Sequence, residues 1–157
     1  MRSNDDRAPV TIADARLVFI AIGSNVGDRA GHLAAALRAL AALPQSRLVR
    51  VSAIDDTAPI GPSDGRFLNQ MVAVETSLDP EAMLDALQAI EADRGRVRHV
   101  RWGPRTLDLD MVAFEDGGAV HTARLSVPHP ELPNREFWRR ELHDLRRQLA
   151  HTPGEST

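Results

Sequence analysis

The sequence predicts one domain that contains both strands and helices, and three observations support this. Residues 106–114 alternate between apolar and polar side chains with a period of two, which is typical of a half-buried strand. Residues 79–95 combine an N-cap aspartate, a proline at the first helical position and apolar residues at helical spacing, which is typical of an amphipathic helix. The chain has 157 residues, of which 43% are apolar and 26% charged, so it can bury one modest core.

Composition and charge argue against several classes of protein. The chain has no cysteine, which rules out a disulfide framework and fits a reducing compartment. Its formal net charge of −3 argues against general binding to nucleic acid or to anionic membranes. The apolar run at residues 17–22 is too short for a signal peptide or a membrane span. We therefore expect a soluble, cytoplasmic, monomeric protein that acts on small molecules.

The first half of the chain predicts a polar tail followed by strands and a helix. Residues 1–14 carry no apolar period and are expected to be a flexible tail. The glycine-rich turn at residues 23–28 is either purely structural or able to cradle phosphate on its backbone amides. Residues 55–65 contain two prolines and two glycines, so we expect a loop without ladder hydrogen bonds. The predicted elements are a strand over residues 16–22, a helix capped by Asp28 and stopped by Pro44, and strands over residues 48–54 and 67–76.

The second half predicts a helix with clear boundaries, the alternating strand and a terminal segment. Asp79 is the expected N-cap of the helix, and Gly95 suits the left-handed residue that ends it. Residues 120–126 are expected to form a short extended segment. Residues 135–150 hold either a final amphipathic helix or a frayed, solvated tail. In the helical alternative, Leu142, Leu145 and Leu149 dock on the domain while Arg139, Arg140, Arg146 and Arg147 stay in water.

Two aspartates, Asp108 and Asp110, share the polar face of the alternating strand, roughly 6.5–7 Å apart. Carboxylates at this separation can each place an oxygen on one magnesium ion or on two neighbouring ions, and Mg²⁺ shares its shell with water and substrate phosphate. All 19 basic residues are arginines, so guanidinium groups or backbone amides must hold phosphate and a Walker-type lysine is excluded. The alternative is a solvated acidic face beside a solvated basic loop. The arginines just before the strand are Arg94, Arg96, Arg98, Arg101 and Arg105.

Two further pairs of residues leave a functional and a structural interpretation open. Phe67 and Asn69 share one face of the third predicted strand. A ring and an amide placed in this way either stack on and hydrogen-bond a flat heterocycle or form a second packed face. Gln88 and Glu91 are three apart on one helix face, a spacing that is more often a solvated surface than a ligand site.

Five short motifs occur in an order and at a spacing that resemble one enzyme family. They are Ala-Ile-Gly-Ser-Asn at residues 21–25, Phe-Leu-Asn at 67–69, Gly-Arg-Val-Arg at 95–98, Arg-Trp-Gly-Pro-Arg-Thr-Leu-Asp-Leu-Asp at 101–110 and Val-Pro-His-Pro at 127–130. The chain thereby resembles the 6-hydroxymethyl-7,8-dihydropterin pyrophosphokinases of the folate pathway, with a matching domain over residues 15–137. The resemblance implies a ferredoxin-like α+β fold, with helices packed on an antiparallel sheet. It also implies transfer of pyrophosphate from ATP to the pterin, with release of AMP.

The resemblance further implies roles for individual residues. Asp108 and Asp110 are the implied ligands of two Mg²⁺ ions that bridge the ATP phosphates, and Arg96 and Arg105 are the implied catalytic arginines that approach the phosphates during transfer. Phe67 and Phe137 match the aromatic pair that sandwiches the pterin. The implied pterin-binding residues are Thr57, Ala58, Ile60, Phe67, Asn69, Trp102 and Phe137. The implied nucleotide-binding residues are Gln88, Glu91, Arg98, Arg124, Ser126, His129 and Arg135.

The chain also departs from the family pattern. Phe67 stands where tyrosine is common, and Ala58 stands where proline is common. After Phe137 the family continues as an apolar run with a proline, whereas residues 138–157 are charged and divergent. This divergence leaves a second function open, a catalytically silent paralogue that binds nucleotide or pterin as a regulatory module. An RNA-binding module is a third alternative, against which the negative charge and the lack of an aromatic RNA-binding motif argue.

Overall fold

The structure is a computed structural model that describes residues 14–59, 65–95 and 106–151. Its elements in chain order are β1 (Arg16–Ser24), α1 (Arg29–Ala41), β2 (Ser46–Val51), β3 (Asp55–Thr57), β4 (Phe67–Thr76), α2 (Pro80–Asp93), β5 (Asp108–Phe114), β6 (Val120–His121), β7 (Ser126–Val127), a 3-10 turn (Leu132–Asn134) and α3 (Glu136–Ala150). The peptide bond between Val127 and Pro128 is cis.

The main sheet has the strand order β2–β4–β1–β5, and β3 pairs with the start of β4. All of its strand pairs are antiparallel. Helix α1 connects β1 to β2, and α2 connects β4 to β5. This is the ferredoxin-like βαββαβ arrangement, so the α+β fold class expected from the sequence is confirmed.

The two faces of the sheet bury two separate apolar clusters. Alternate residues of β1 divide between them: Ile20 and Ile22 pack with α1 and α2, whereas Phe19 and Ala21 pack with α3. All four are at most 4% exposed. Because side chains alternate across a strand, β1 anchors both layers of helices at once.

The helix boundaries follow the expected capping signals. The side chain of Asp28 accepts a hydrogen bond from the backbone N–H of Gly31 (3.0 Å), and that of Asp79 accepts one from Ala82 (2.9 Å). Gly95 ends α2 with φ +85, a left-handed conformation that glycine adopts without a Cβ clash. Within the three described ranges, no helix is both long and apolar enough to cross a membrane.

The terminal helix is present as α3 and it docks, so the solvated-tail alternative is wrong for residues 136–150. Leu142 and Leu145 are 6% and 0% exposed, and Leu149 packs at the edge of the same cluster. The polar face remains in water, with Arg139, Arg140, Arg146 and Arg147 all exposed. Of the flexible tail predicted over residues 1–14, residues 1–13 lie outside the described residues, as do residues 152–157 at the other end of the chain.

The prediction that residues 55–65 lack ladder bonding is wrong for its first three residues. Asp55 pairs with Asn69 and Thr57 with Phe67, so β3 continues along the same edge of β4 that β2 occupies. Strand β2 itself ends at Val51 rather than at residue 54. Strand β3 could not be predicted from its sequence, because its residues are polar and have no strand pattern. Its extended conformation depends on pairing with β4 rather than on local propensity.

Two other strand predictions also need correction. Strand β1 continues to Ser24, two residues beyond the predicted end, because Gly23 and Ser24 pair with β4 instead of turning. The single extended segment expected over residues 120–126 is two short strands, β6 and β7, paired as a separate two-stranded sheet.

If α3 is an integral layer of the fold, Leu145→Ala should lower the free energy of unfolding by about 2–5 kcal/mol, as expected for a buried leucine truncated to alanine. The control is Arg147→Ala on the exposed side of the same helix, which should change stability by less than about 0.5 kcal/mol. Urea unfolding followed by circular dichroism measures both. Equal effects of the two substitutions would contradict the docking of α3.

Candidate active site

Three neighbouring strands bring polar residues into line at one end of the main sheet. In the register of β4, β1 and β5, Gly23 is opposite Asn69 on one side and opposite Asp108 on the other. Ala21, two residues earlier, is opposite Asp110. These residues face α3, since they alternate with the residues that are buried under α1 and α2.

Because Gly23 has no side chain, the side chains of its neighbours lie close to its backbone. A Cβ at this position would lie 3.1 Å from Oδ1 of Asn69 and 3.6 Å from Cδ1 of Phe67. Any side chain at residue 23 would therefore press on the Asn69 amide. The glycine of the Ala-Ile-Gly-Ser-Asn motif keeps the space above the central strand open.

A pocket lies above this stretch of β1, closed on one side by the start of α3. Phe67 is 5% exposed and Phe137 is half-buried, and the two rings line the same cavity as the two aspartates. The structure thus brings together the aromatic pair, the amide and the acid pair that the sequence singled out. The lining residues are Ala21, Ile22, Gly23, Phe67, Asn69, Asp108, Asp110, Arg135, Phe137 and Trp138.

The two aspartates share one face of β5 and are both partly exposed to the pocket. Leu109, between them, points the other way into the core, as the period of two predicts. The described residues contain no cluster of three or more histidine, cysteine, aspartate or glutamate side chains that could hold a metal ion. Two carboxylates from one strand are a donor set that fits Mg²⁺, because this ion takes its remaining ligands from water and phosphate.

His129 adjoins the acid pair. Its Nε2 lies 3.7 Å from Oδ1 of Asp110, and its Nδ1 accepts a hydrogen bond from the backbone N–H of Glu131 (3.0 Å). An accepting Nδ1 places the proton of the neutral ring on Nε2, on the side of Asp110. Burial, followed by the positive charge of Arg135, lowers the pKa of His129 below its ordinary value. The ring is therefore a neutral hydrogen-bond donor at pH 7.

Trp138 organises the cationic side of the pocket, a role that the sequence analysis did not assign. The guanidinium carbon of Arg135 lies 4.3 Å from the centre of the Trp138 ring, and the His129 ring meets the same ring edge-on at 5.0 Å. Trp138 is 3% exposed, so it is fixed by the core. Its spacing from Arg135, three residues along a helix start, is the signal that could have revealed the stack.

The amide side of the pocket is held by β3. Nδ2 of Asn69 donates a hydrogen bond to Oγ1 of Thr57 at 2.6 Å, and Thr57 is opposite Phe67 in the ladder. Ala58, just after the strand, is exposed. The short strand that the sequence analysis missed therefore positions two of the residues implied to bind the pterin.

Glu91 has a structural partner, and the interpretation of this residue as part of a solvated face is wrong. It is 1% exposed, and its Oε2 accepts a hydrogen bond from the backbone N–H of Leu109 at 2.7 Å. This bond ties α2 to β5 between the two aspartates. The spacing of Gln88 and Glu91 could not reveal it, because the donor is a backbone group far along the chain.

Several other residues of the implied nucleotide site lie beside α2 and the β6–β7 pair rather than in the lining of the pocket. Arg124 forms salt bridges with Glu81 (2.9 Å) and Asp85 (2.7 Å), and its Nη2 lies 3.5 Å from Oε1 of Gln88. Oγ of Ser126 lies 2.8 Å from Nδ1 of His121. The remaining implied site residues, namely Ile60, Arg96, Arg98, Trp102 and Arg105, lie outside the described residues.

Glu141 is a buried acid on α3 that the sequence analysis passed over. It is 3% exposed, and burial together with the nearby carboxylate of Asp55 raises its pKa to about 9. Its spacing from Trp138, Leu142 and Leu145 places it within the apolar stripe of the helix. The position of an acid within an apolar stripe was the sequence signal that could have indicated its burial.

The raised pKa predicts a pH-dependent stability. The folded protein keeps the Glu141 proton up to about pH 9, whereas the unfolded chain releases it near the ordinary glutamate pKa of 4.5. The contribution of this group to the free energy of unfolding is therefore fully present below pH 4.5 and is lost as pH rises through about 9. The free energy of unfolding falls by at most about 1.4 kcal/mol per pH unit in this window. Glu141→Gln cannot titrate, so its stability relative to the wild type should rise steadily across this window in urea unfolding. Parallel profiles for the two proteins would contradict a buried neutral acid.

Comparison with known proteins agrees with the geometry of the site. Residues 19–147 match the model of the family described as 7,8-dihydro-6-hydroxymethylpterin-pyrophosphokinase (HPPK). Three relatives carry the name 2-amino-4-hydroxy-6-hydroxymethyldihydropteridine pyrophosphokinase. The Pseudomonas aeruginosa protein is 46% identical over 87% of this chain and 85% of its own length, the Bacillus subtilis protein 40% over 85% and 80%, and the Methylorubrum extorquens protein 45% over 76% and 75%. The chain belongs to the 7,8-dihydro-6-hydroxymethylpterin-pyrophosphokinase family.

Proposed function

We propose that this protein transfers the pyrophosphoryl group of ATP to the hydroxymethyl group of 6-hydroxymethyl-7,8-dihydropterin and releases AMP, as a step of folate biosynthesis. The observation that carries the proposal is one pocket in which an acid pair, Asp108 and Asp110, lies beside an aromatic pair, Phe67 and Phe137. Transfer of a phosphoryl-type group needs charge neutralisation and positioning more than covalent chemistry from the protein. Nothing in the described residues favours the alternative of a silent regulatory paralogue.

The pterin is assigned to the side of the pocket formed by β3, β4 and the start of α3. Phe67 and Phe137 offer ring faces to a flat heterocycle, and Asn69 offers an amide whose orientation is set by its hydrogen bond to Thr57. The backbone around Ala58 completes the polar edge in this assignment. Such a site holds the hydroxymethyl group toward the acidic end of the same cavity.

The triphosphate is assigned to the acidic end. Asp108 and Asp110 would hold Mg²⁺, which when bound neutralises the phosphate oxygens and draws charge from the bridge that breaks. His129 presents its Nε2, 3.7 Å from Oδ1 of Asp110, as a donor for a phosphate oxygen, and Arg135 adds a positive charge stacked on Trp138. Gln88, Glu91, Arg98, Arg124 and Ser126 are proposed to complete the nucleotide site, with Arg96, Arg105 and Trp102 acting at the phosphates and the pterin.

The reaction balances without a strong base. The hydroxymethyl oxygen forms a bond to the β-phosphorus, the bond between that phosphorus and the oxygen bridging to the α-phosphoryl group breaks, and AMP leaves with that oxygen. The hydroxyl proton passes to water or to a phosphate oxygen. We further propose that the active site binds two Mg²⁺ ions, that the enzyme is monomeric and cytoplasmic, and that it has no nucleic-acid partner.

The first functional prediction concerns the products. Turnover of ATP with 6-hydroxymethyl-7,8-dihydropterin and Mg²⁺ should yield AMP and pyrophosphorylated pterin in equal amounts, with no ADP. Separation of nucleotides by ion-exchange chromatography, together with mass spectrometry of the pterin, measures both. Formation of ADP and a monophosphorylated pterin would overturn the proposed reaction. The absence of any product would instead favour the regulatory alternative.

The second functional prediction concerns the acid pair. Asp108→Asn and Asp110→Asn each keep the side-chain shape and remove an anionic oxygen, so each should lower kcat/KM by roughly 100-fold or more. The affinity for the pterin alone should change much less. The control is Asp14→Asn, an exposed aspartate with φ 60 that asparagine also tolerates. Near-normal activity of either site variant at limiting Mg²⁺ would remove that residue from the metal site.

A further inference from the structure

We propose that Glu141 is a positioning residue for the pterin pocket, which it holds in shape by sharing a proton with Asp55 and thereby fastening α3 to β3. The inference rests on the proposed function, since it concerns how the pterin side of that site is held. Glu141 lies on α3, in the segment that follows Phe137.

Glu141 is buried among described residues that offer its carboxyl group no hydrogen-bond donor. Its side chain is 3% exposed, and neither of its oxygens accepts a hydrogen bond from a donor among the described residues. Asp55 is the carboxyl group that raises the pKa of Glu141, and Arg140, the residue before Glu141 on α3, lies 3.3 Å from Oδ1 of Asp55. Two carboxylates can form a hydrogen bond with each other only if one of them carries a proton, and the more buried of the two, Glu141, is the group that burial keeps neutral.

Asp55 in turn belongs to the strand that forms one wall of the pocket. It is opposite Asn69 in the ladder, and Thr57, two residues further on, accepts the Asn69 amide hydrogen bond. Strand β3 has three residues, so its own ladder provides little restraint. A hydrogen bond from Glu141 therefore fixes the strand that orients Asn69.

The other wall of the pocket is on the same helix as Glu141. Phe137 precedes Glu141 by four residues, so the two side chains lie one turn apart on the same face of α3. The bond between Glu141 and Asp55 thus links the wall that carries Phe137 to the wall that carries Asn69. An apolar residue at position 141 would fill the space, but it would leave α3 and β3 joined here through the ion pair between Arg140 and Asp55, in which the arginine is exposed.

The charged groups around Glu141 come from three elements. From β3, Asp55 raises its pKa, and from α3, Arg140 lowers it while lying 3.3 Å from Oδ1 of Asp55. From β2, Arg50 is on the α3 side of the sheet with its guanidinium bonded to the carbonyl of Val49 (2.8 Å). Asp144, one turn further along α3, is bonded to Gln148. Strand β4 faces α3 with Asn69, Met71 and Ala73, and Glu75, further along the same face, is paired with Arg47 of β2 at 2.8 Å.

The test is the affinity for 6-hydroxymethyl-7,8-dihydropterin, measured by titration calorimetry with Mg²⁺ and α,β-methylene ATP between pH 7 and pH 10. Glu141→Gln keeps a donor for Asp55 at every pH, so at pH 7 it should bind within about twofold of the wild type. From pH 7 to pH 10 the wild type should lose about tenfold in affinity relative to this variant, because deprotonation sets two carboxylates against each other. Titration of the pterin itself changes the affinity of both proteins equally, so it cancels in the ratio of the wild-type affinity to the Glu141→Gln affinity.

Two further variants separate positioning from packing. Glu141→Leu fills the volume without a donor, and at pH 7 it should weaken pterin binding by about tenfold while the affinity for Mg²⁺ with the ATP analogue changes by less than about twofold. Asp144→Asn removes one carboxylate from the same helix and should behave as the wild type at every pH. Circular dichroism shows whether each variant folds. If Glu141→Leu does not fold, the pH dependence of pterin affinity in the wild type and in Glu141→Gln is sufficient to test the proposal.

The outcomes separate this inference from the function on which it rests. A constant ratio of wild-type to Glu141→Gln affinities between pH 7 and pH 10 overturns the positioning role, and so does a folded Glu141→Leu variant with normal pterin affinity. In either case the wild type still binds the pterin, and the proposed function stands. A wild-type protein that neither binds the pterin nor releases AMP overturns both.

Discussion

The register of β1 with its two neighbours is the constraint on which the rest of the site depends. One residue, Gly23, is paired with Asn69 of β4 and with Asp108 of β5, so the amide side and the acidic side of the pocket lie at a separation set by backbone hydrogen bonds. A shift of one residue in either ladder would turn the corresponding side chain to the opposite face. The large side chains of β1 resist such a shift, because Phe19 and Ile20 are buried in different layers.

Helix α2 stiffens the acidic strand from behind. The carboxylate of Glu91 accepts a hydrogen bond from the backbone N–H of Leu109, while the Leu109 side chain packs in the core between the helices and the sheet. Both the backbone and the side chain of the residue between Asp108 and Asp110 are therefore held. Carboxylates on a strand fixed in this way keep their spacing without a bound ion, which lowers the reorganisation needed when phosphate and metal arrive.

The sequence predicts most of the fold because most of it follows from local chemistry. Caps at Asp28 and Asp79 and the alternation around Asp108 act within a few residues, and each has its expected consequence in the structure. Strand β3 and the buried roles of Glu91 and Glu141 could not be predicted in this way. Their partners, β4, Leu109 and Asp55, are distant along the chain, and a polar side chain alone does not indicate whether it meets water or a buried donor.

Helix α3 joins the two halves of the site, and the family match over residues 19–147 extends through most of it. Its first turn stacks Trp138 under Arg135 and against His129 on the acidic side, while Phe137 lines the side assigned to the pterin. The arginines on the outer side of the helix are exposed, and Leu142 and Leu145 hold it to the sheet. Since one rigid element touches both halves of the pocket, any movement of α3 changes the aromatic wall and the cationic wall together. Helix α3 thus meets a physical requirement of the site, a helix docked on the sheet, through its apolar contacts and with Glu141 buried on the same side.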